Sequence, residues 1–198
     1  PDPARPVLSR HYQAAKGLGT VWHRAAARAS LAAARDDAIA ALVPVLGSGS
    51  VVERLAAVSS LATVAADADA SVRSAVADRL APVLADPSVD VRSKALLALG
   101  RTDPDRARDG IRAALRERAL QPNAIDALGG LHRPDAAVVE ALCALLPDTG
   151  VGGAAAKALA RLAAVAPEPV GRAVTPVLDG DGGRASGRAR ANALRVVA

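Results

Sequence analysis

The sequence predicts an all-α fold, a right-handed α-solenoid (superhelix) of about six antiparallel helix pairs. Three observations predict it. The stretch PVLADPSVDVRSKALLALG at 82–100 reads as the end of one helix, a tight turn and a second helix. The pattern recurs. Leu84, which closes the first helix, has equivalents at Leu46, Leu115, Leu146 and Leu178, at steps of 38, 31, 31 and 32 residues. The triplet Pro-Val-Leu returns at 44–46, 82–84 and 176–178. A period of about 20–50 residues marks stacked units that share one core. Finally, 51% of residues are apolar but only 1% aromatic, with no Phe and no Met. The core must be Ala, Leu and Val, and such small side chains let helices approach closely.

Taken in order, the elements follow from turn chemistry and helical spacing. Residues 4–16 read as a first helix, ended by Gly17 and Gly19. Thr20 is a good N-cap for a helix to Ala34. Asp36 and Asp37 suit the first turn of the next, 36–46, because acids complement the helix dipole there. Pro44 should bend it, GSGS at 47–50 turns the chain, and 51–65 is the partner helix. Ser71 caps a helix over 72–85, and 89–99 follows Asp86-Pro87-Ser88 and stops at Gly100. Pro104 opens 104–118, and Gln121-Pro122-Asn123 leads a short helix to Gly129. Pro134-Asp135 opens 135–146, a turn at 147–150 leads into 151–165, and Pro167 opens a helix to Leu178. DGDGG at 179–183 leads to a last helix, 184–197. The units are 1–34, 35–66, 67–101, 102–131, 132–166 and 167–198, one repeat domain over the chain. The outer face of the last helix is expected to lie open or to continue into further chain.

DPSVDVRSKALLALG at 86–100 and, more weakly, GSGSVVERLAAVSSLA at 47–62 resemble the HEAT-repeat superfamily. The short period resembles the bacterial HEAT-like repeats of the phycobilisome-lyase type. The resemblance implies that the second helix of each pair lines a concave inner layer. On that reading the second helices sum to +9, the first helices to +3 and the connecting segments to −7, within a net charge of +5. Positive charge concentrates on the inner layer, and acids dominate the turns.

Arg54 and Arg92 each lie eight residues after a marker leucine. The resemblance implies a structural ladder in which they pair with turn acids of neighbouring repeats, with Asp86 and Asp90 available. Counted by the same step, the matching positions later are Asn123, Ala154 and Ser186, where the ladder lapses. Arg24, Arg28, Lys94, Arg101, Lys157, Arg161, Arg188 and Arg190 make up the remaining basic set. They form either a partner-binding concave surface or a solvated face with apolar stems over small residues.

Other chemistry is sparse. Tyr12 and Trp22 stand together in the first unit, as packing for an N-terminal cap; a base-stacking platform usually has several aromatics. His11, His23 and His132 lack metal-ligand spacing. Cys143, the single cysteine, lies in ALCALL as a small core residue and argues for a reducing, cytoplasmic setting. GVGG at 150–153 lies at a helix start, where N–H groups can meet an anion, but a turn explains it. No P-loop, Gly-x-Ser-x-Gly or paired-carboxylate pattern is present, and no apolar run spans a bilayer. The expectation is therefore a non-catalytic scaffold without cofactor or metal, binding a protein or peptide, acidic by charge complementarity. Two alternatives stay open. One is weak, non-specific nucleic-acid binding, as in a diverged member of the DNA glycosylases with a HEAT-like fold. The other is a maturation factor of the bilin-lyase type, which rests on resemblance alone.

Overall fold

The computed structural model describes residues 21–66, 68–180 and 184–197, and their side chains except at 21–32, 48 and 184–186. The expected helix over 4–16, its Tyr12 and His11, and the cap Thr20 lie outside the described residues. Among those described, ten α-helices and two 3-10 stretches pack together and no strand occurs. In chain order these are α1 (Val21–Ser48), α2 (Val51–Ala66), α3 (Ala70–Leu80), α4 (Val89–Thr102), α5 (Arg108–Ala114), α6 (Gln121–Leu128), α7 (Ala136–Cys143), α8 (Gly152–Val165), α9 (Pro167–Asp179) and α10 (Arg184–Val197). The 3-10 stretches are Ala81–Ala85, continuing α3, and Pro104–Ala107, leading into α5.

The contacts follow one scheme. Each odd-numbered helix packs on the even-numbered helix after it. The even-numbered helices also form an unbroken row, with α2 on α4, α4 on α6, α6 on α8 and α8 on α10. Carboxylates and a hydroxyl set several starts. Asp69 accepts from the Val72 N–H and Asp135 from the Val138 N–H, at 3.0 and 2.8 Å. Ser50 and Glu53 make a reciprocal capping box at α2, 2.6 and 3.3 Å. The cap of α3 is thus Asp69, two residues before the expected Ser71.

Three further differences from the sequence reading have plain causes. The chain does not break at Ala34 and Arg35, because α1 runs through as one helix. No Gly or Pro interrupts that Ala-rich run, so propensity carries the helix across. The expected border between the first two units therefore falls within one helix, and Arg24 and Arg28 stand on the same helix as Asp36 and Asp37. The three Pro-Val-Leu triplets also take different backbones. Pro44 and Pro176 lie inside α-helices, whereas Pro82 lies where α3 tightens into 3-10. Finally, Leu99, Leu115, Leu146 and Leu159 are buried, but Leu84 is half-buried and lies over Gly110, where an added Cβ would sit 2.8 Å from its Cδ1.

The core is a repeated column. Leu61, Leu99, Leu128 and Leu159 occupy equivalent places on α2, α4, α6 and α8, each at 0% exposure. Three and four residues earlier stand the buried pairs Ala57-Val58, Ala95-Leu96, Ala124-Ile125 and Ala155-Ala156. The residue after each leucine is small: Ala62, Gly100, Gly129 and Ala160. This lets neighbouring backbones close up. A Cβ on Gly100 would lie 3.1 Å from Ala127 and one on Gly129 3.0 Å from Ala158.

Candidate partner-binding face

Arg54 lies three residues before Ala57, so the column places Arg92, Gln121 and Gly152 in register with it on the even row. These positions share one task, which is to satisfy a carbonyl in the turn just before the helix. Arg54 Nη1 donates to the Gly49 carbonyl at 2.6 Å, Arg92 Nη1 to Asp86 at 2.6 Å and Gln121 Nε2 to Leu115 at 2.9 Å. The fourth position is Gly152 and has no side chain. There the Asn192 amide of α10 crosses over and donates to the Leu146 carbonyl at 2.8 Å. Asn192 is 8% exposed, the one polar residue buried as a whole among the described residues. The ladder positions counted as Asn123 and Ala154 are thus two residues off. Asn123 instead donates to the Ser93 hydroxyl at 2.6 Å, and Ala154 is exposed.

The arginines also reach the next turn. Arg54 grips Asp86 bidentately, Nε to Oδ2 at 2.7 Å and Nη2 to Oδ1 at 3.0 Å. Arg92 Nη2 meets Glu117 at 2.5 Å. The Arg54 hydrogen bond holds the Asp86 carboxyl below its ordinary range, helped by the Ser88 N–H and the charges of Arg54 and Arg92, against the opposing effect of burial. The same bond raises Arg54. Both guanidiniums are committed within the protein. Asp90 takes no part, being exposed in the first turn of α4, where an acid suits the helix dipole.

The remaining predicted residues separate clearly. Lys94 and Arg101 on α4, and Lys157 on α8, are exposed and form no ion pair with the described residues. They follow the helical repeat on the side away from the buried column. Arg161 of α8 is half exposed and donates to Asp126 of α6 at 2.8 Å. Arg188 on α10 is exposed, and with Arg118 it adds to the lowering of Asp148, whose main causes are the Val151 and Gly150 N–H groups. The side chains of Arg24, Arg28, Trp22 and His23 lie outside the described residues.

The sequence reading missed the apolar component of this face. The large apolar residues that stand exposed are Val51, Val52, Val89, Leu97, Val165, Leu194 and Val197. All belong to even-numbered helices, and among the described residues none comes from an odd-numbered one. Leu97 lies three residues after Lys94 and four before Arg101, so the three share one exposed stripe. The signal was present as that spacing in α4.

Elsewhere the polar groups serve the fold. A cleft of about 510 Å³ opens between α1 and α3, and Arg54 and Asp86 at its wall already satisfy each other. Burial alone would raise Asp105, but the N–H groups of His132 and Arg133, with Arg108 and the His132 ring, bring it below the ordinary range. Cys143 is half-buried, and burial, with Glu140 nearby, pushes its thiol up to about 11. Among the described residues no group of three His, Cys, Asp or Glu is placed to hold a metal ion, and no helix is long and apolar enough to cross a membrane. Comparison with protein-family models and with curated proteins finds no match.

Proposed function

We propose that this chain is a non-catalytic HEAT-like scaffold, a right-handed solenoid that binds a protein or peptide on the concave face of its even-numbered helices. One observation carries the reading: among the described residues every exposed large apolar side chain lies on that row of helices, and one of them, Leu97, stands between the exposed cations Lys94 and Arg101. A solvated surface has no need to gather Leu97 between Lys94 and Arg101, and apolar surface beside charge is how proteins engage one another. The test is site-specific photo-crosslinking in cell extract, with the crosslinker at Leu97 of α4 or, for comparison, at Arg172, exposed on α9. Protein adducts at Leu97 and none at Arg172 are expected. Adducts favouring Arg172, or nucleic acid as the dominant species at Leu97, would overturn the reading.

A second reading is nucleic-acid binding, favoured by the freedom of Lys94, Arg101 and Lys157 from ion pairs. Backbone contacts alone give binding of about 10⁻⁴–10⁻⁶ M that weakens steeply with salt, with a log–log slope of about −0.9 per phosphate on duplex DNA. The face carries no described aromatic side chain on which a base would stack. A salt titration with duplex DNA is expected to show such weak binding. Nanomolar, sequence-selective binding lost on replacing Lys94, Arg101 and Lys157 by Ala would make this the primary reading.

A further inference from the structure

We infer that the occupant of this face is an extended acidic segment that crosses α4, α6 and α8, with two carboxylates six residues apart. The inference rests on the scaffold reading and adds the ligand's charge and spacing. Lys94 and Arg101 present free cations on α4, and Lys157 presents one on α8. Between them α6 contributes no cation to the exposed face. It offers Asp126, whose carboxylate takes Arg161 at 2.8 Å, and Pro122. The order across the row is therefore positive, acidic, positive.

The spacing follows from packing. α6 touches both α4 and α8. Helices in contact lie about 8–10 Å apart, which puts α4 and α8 about 16–20 Å apart. An extended chain rises about 3.3 Å per residue and crosses that span in about five to six residues. Alternate side chains of such a chain face the same way, so the second acid belongs at i+6 rather than i+5. A basic or polar side chain at i+2 or i+4 then lies near Asp126. A helical ligand would need a continuous apolar groove for its stripe, and the exposed large apolar residues of α4 and α8 are Val89, Leu97 and Val165, with Pro122 on α6, of which all but Leu97 stand at helix ends.

The test is fluorescence anisotropy with labelled nine-residue peptides of alanine and serine. One has two glutamates six apart and a lysine four after the first; the other has the same residues with the glutamates adjacent. Exposed ion pairs are individually weak, so the expected preference for the spaced peptide is about tenfold, vanishing at high salt. Lys94→Glu and Lys157→Glu should each reduce spaced-peptide binding about tenfold. Both positions are exposed, and unchanged unfolding midpoints check the fold. Equal binding of the two peptides would overturn the inference. So would tighter binding of a helical peptide with glutamates eleven apart, or of an eight-nucleotide single strand. If protein adducts at Leu97 persist beside any of these results, the scaffold reading stands and only the extended acidic ligand falls. Loss of those adducts together with peptide binding would remove both.

Discussion

Gly152→Ala should be the most damaging glycine substitution in the described structure. Gly152 opens α8 and holds the ladder position from which Arg54, Arg92 and Gln121 reach a turn carbonyl. An added Cβ would lie 2.5 Å from the Leu146 carbonyl oxygen and 2.8 Å from Asn192 Nδ2, the two ends of a 2.8 Å hydrogen bond. Neither end gives way easily: one is backbone, the other a buried side chain held by α10. Overpacking of this kind costs about 1–3 kcal/mol. Parting Asn192 from Leu146 leaves a buried carbonyl unsatisfied, which costs about 1–3 kcal/mol more. The two overlap, so the expected loss is about 2–4 kcal/mol. Gly171→Ala is the control. It lies within α9, and an added Cβ meets nothing within 4 Å. That change should stabilise by about 0.5–1 kcal/mol through helix propensity and a less flexible unfolded chain. Urea unfolding of the two variants beside the parent, followed by circular dichroism, gives the comparison. A Gly152→Ala protein as stable as the parent, with an unchanged denaturant slope, would refute the crossover from Asn192 to Leu146.

Other outcomes follow from the same geometry. Leu99→Ala should cost about 2–5 kcal/mol, because small neighbours at Gly100 and Ala127 cannot refill the space, while exposed Leu97→Ala should cost well under 1 kcal/mol; equal urea midpoints for the two would refute the face assignment. Asp86 is held below its ordinary range, so its contribution to stability is complete above the unfolded value near ~4 and is lost as pH falls through the lower folded value. Asp86→Asn should therefore flatten the acid limb of a stability profile below about pH 5, and an unchanged limb would show that the pair does not govern it. Cys143, with its thiol raised to about 11, should be alkylated at pH 8 at roughly a hundredth of the rate of an ordinary thiol until the protein unfolds. Rapid labelling of the native chain would contradict the burial of that side chain, and specific loss of an enzymatic activity in a folded Cys143→Ser protein would contradict the proposed scaffold.

Much of this was legible from local chemistry. Proline, glycine and aspartate mark the turns, and Val91, Ala95, Ala98 and Leu99 mark the buried side of α4. The register of the ladder was not legible, for a specific reason. From the marker leucine to the ladder position the chain takes eight residues at Leu46–Arg54 and Leu84–Arg92, but six at Leu115–Gln121 and Leu146–Gly152. Turns absorb such differences at little cost, whereas the leucine column cannot slip without exposing its core face. Counting through a turn therefore drifts. Counting from Leu61, Leu99, Leu128 and Leu159 does not, because each is fully buried on a helix that packs on the next of the row.

Helicity, the place of most turns, a core of small and aliphatic residues and the supply of cations can all be read along the chain in one dimension. These are properties of single residues and of their neighbours along a helix. Which of those cations are free depends on packing in three dimensions. Arg54, Arg92 and Arg161 look like Lys94, Arg101 and Lys157 in one dimension. Their partners Asp86, Glu117 and Asp126 lie 32, 25 and 35 residues away and are delivered by neighbouring turns and helices. The same holds for Asn192, which is 46 residues from the carbonyl it satisfies. A hydrogen bond or ion pair depends on distance in space, and that distance is set by how closely the helices of the even row can pack.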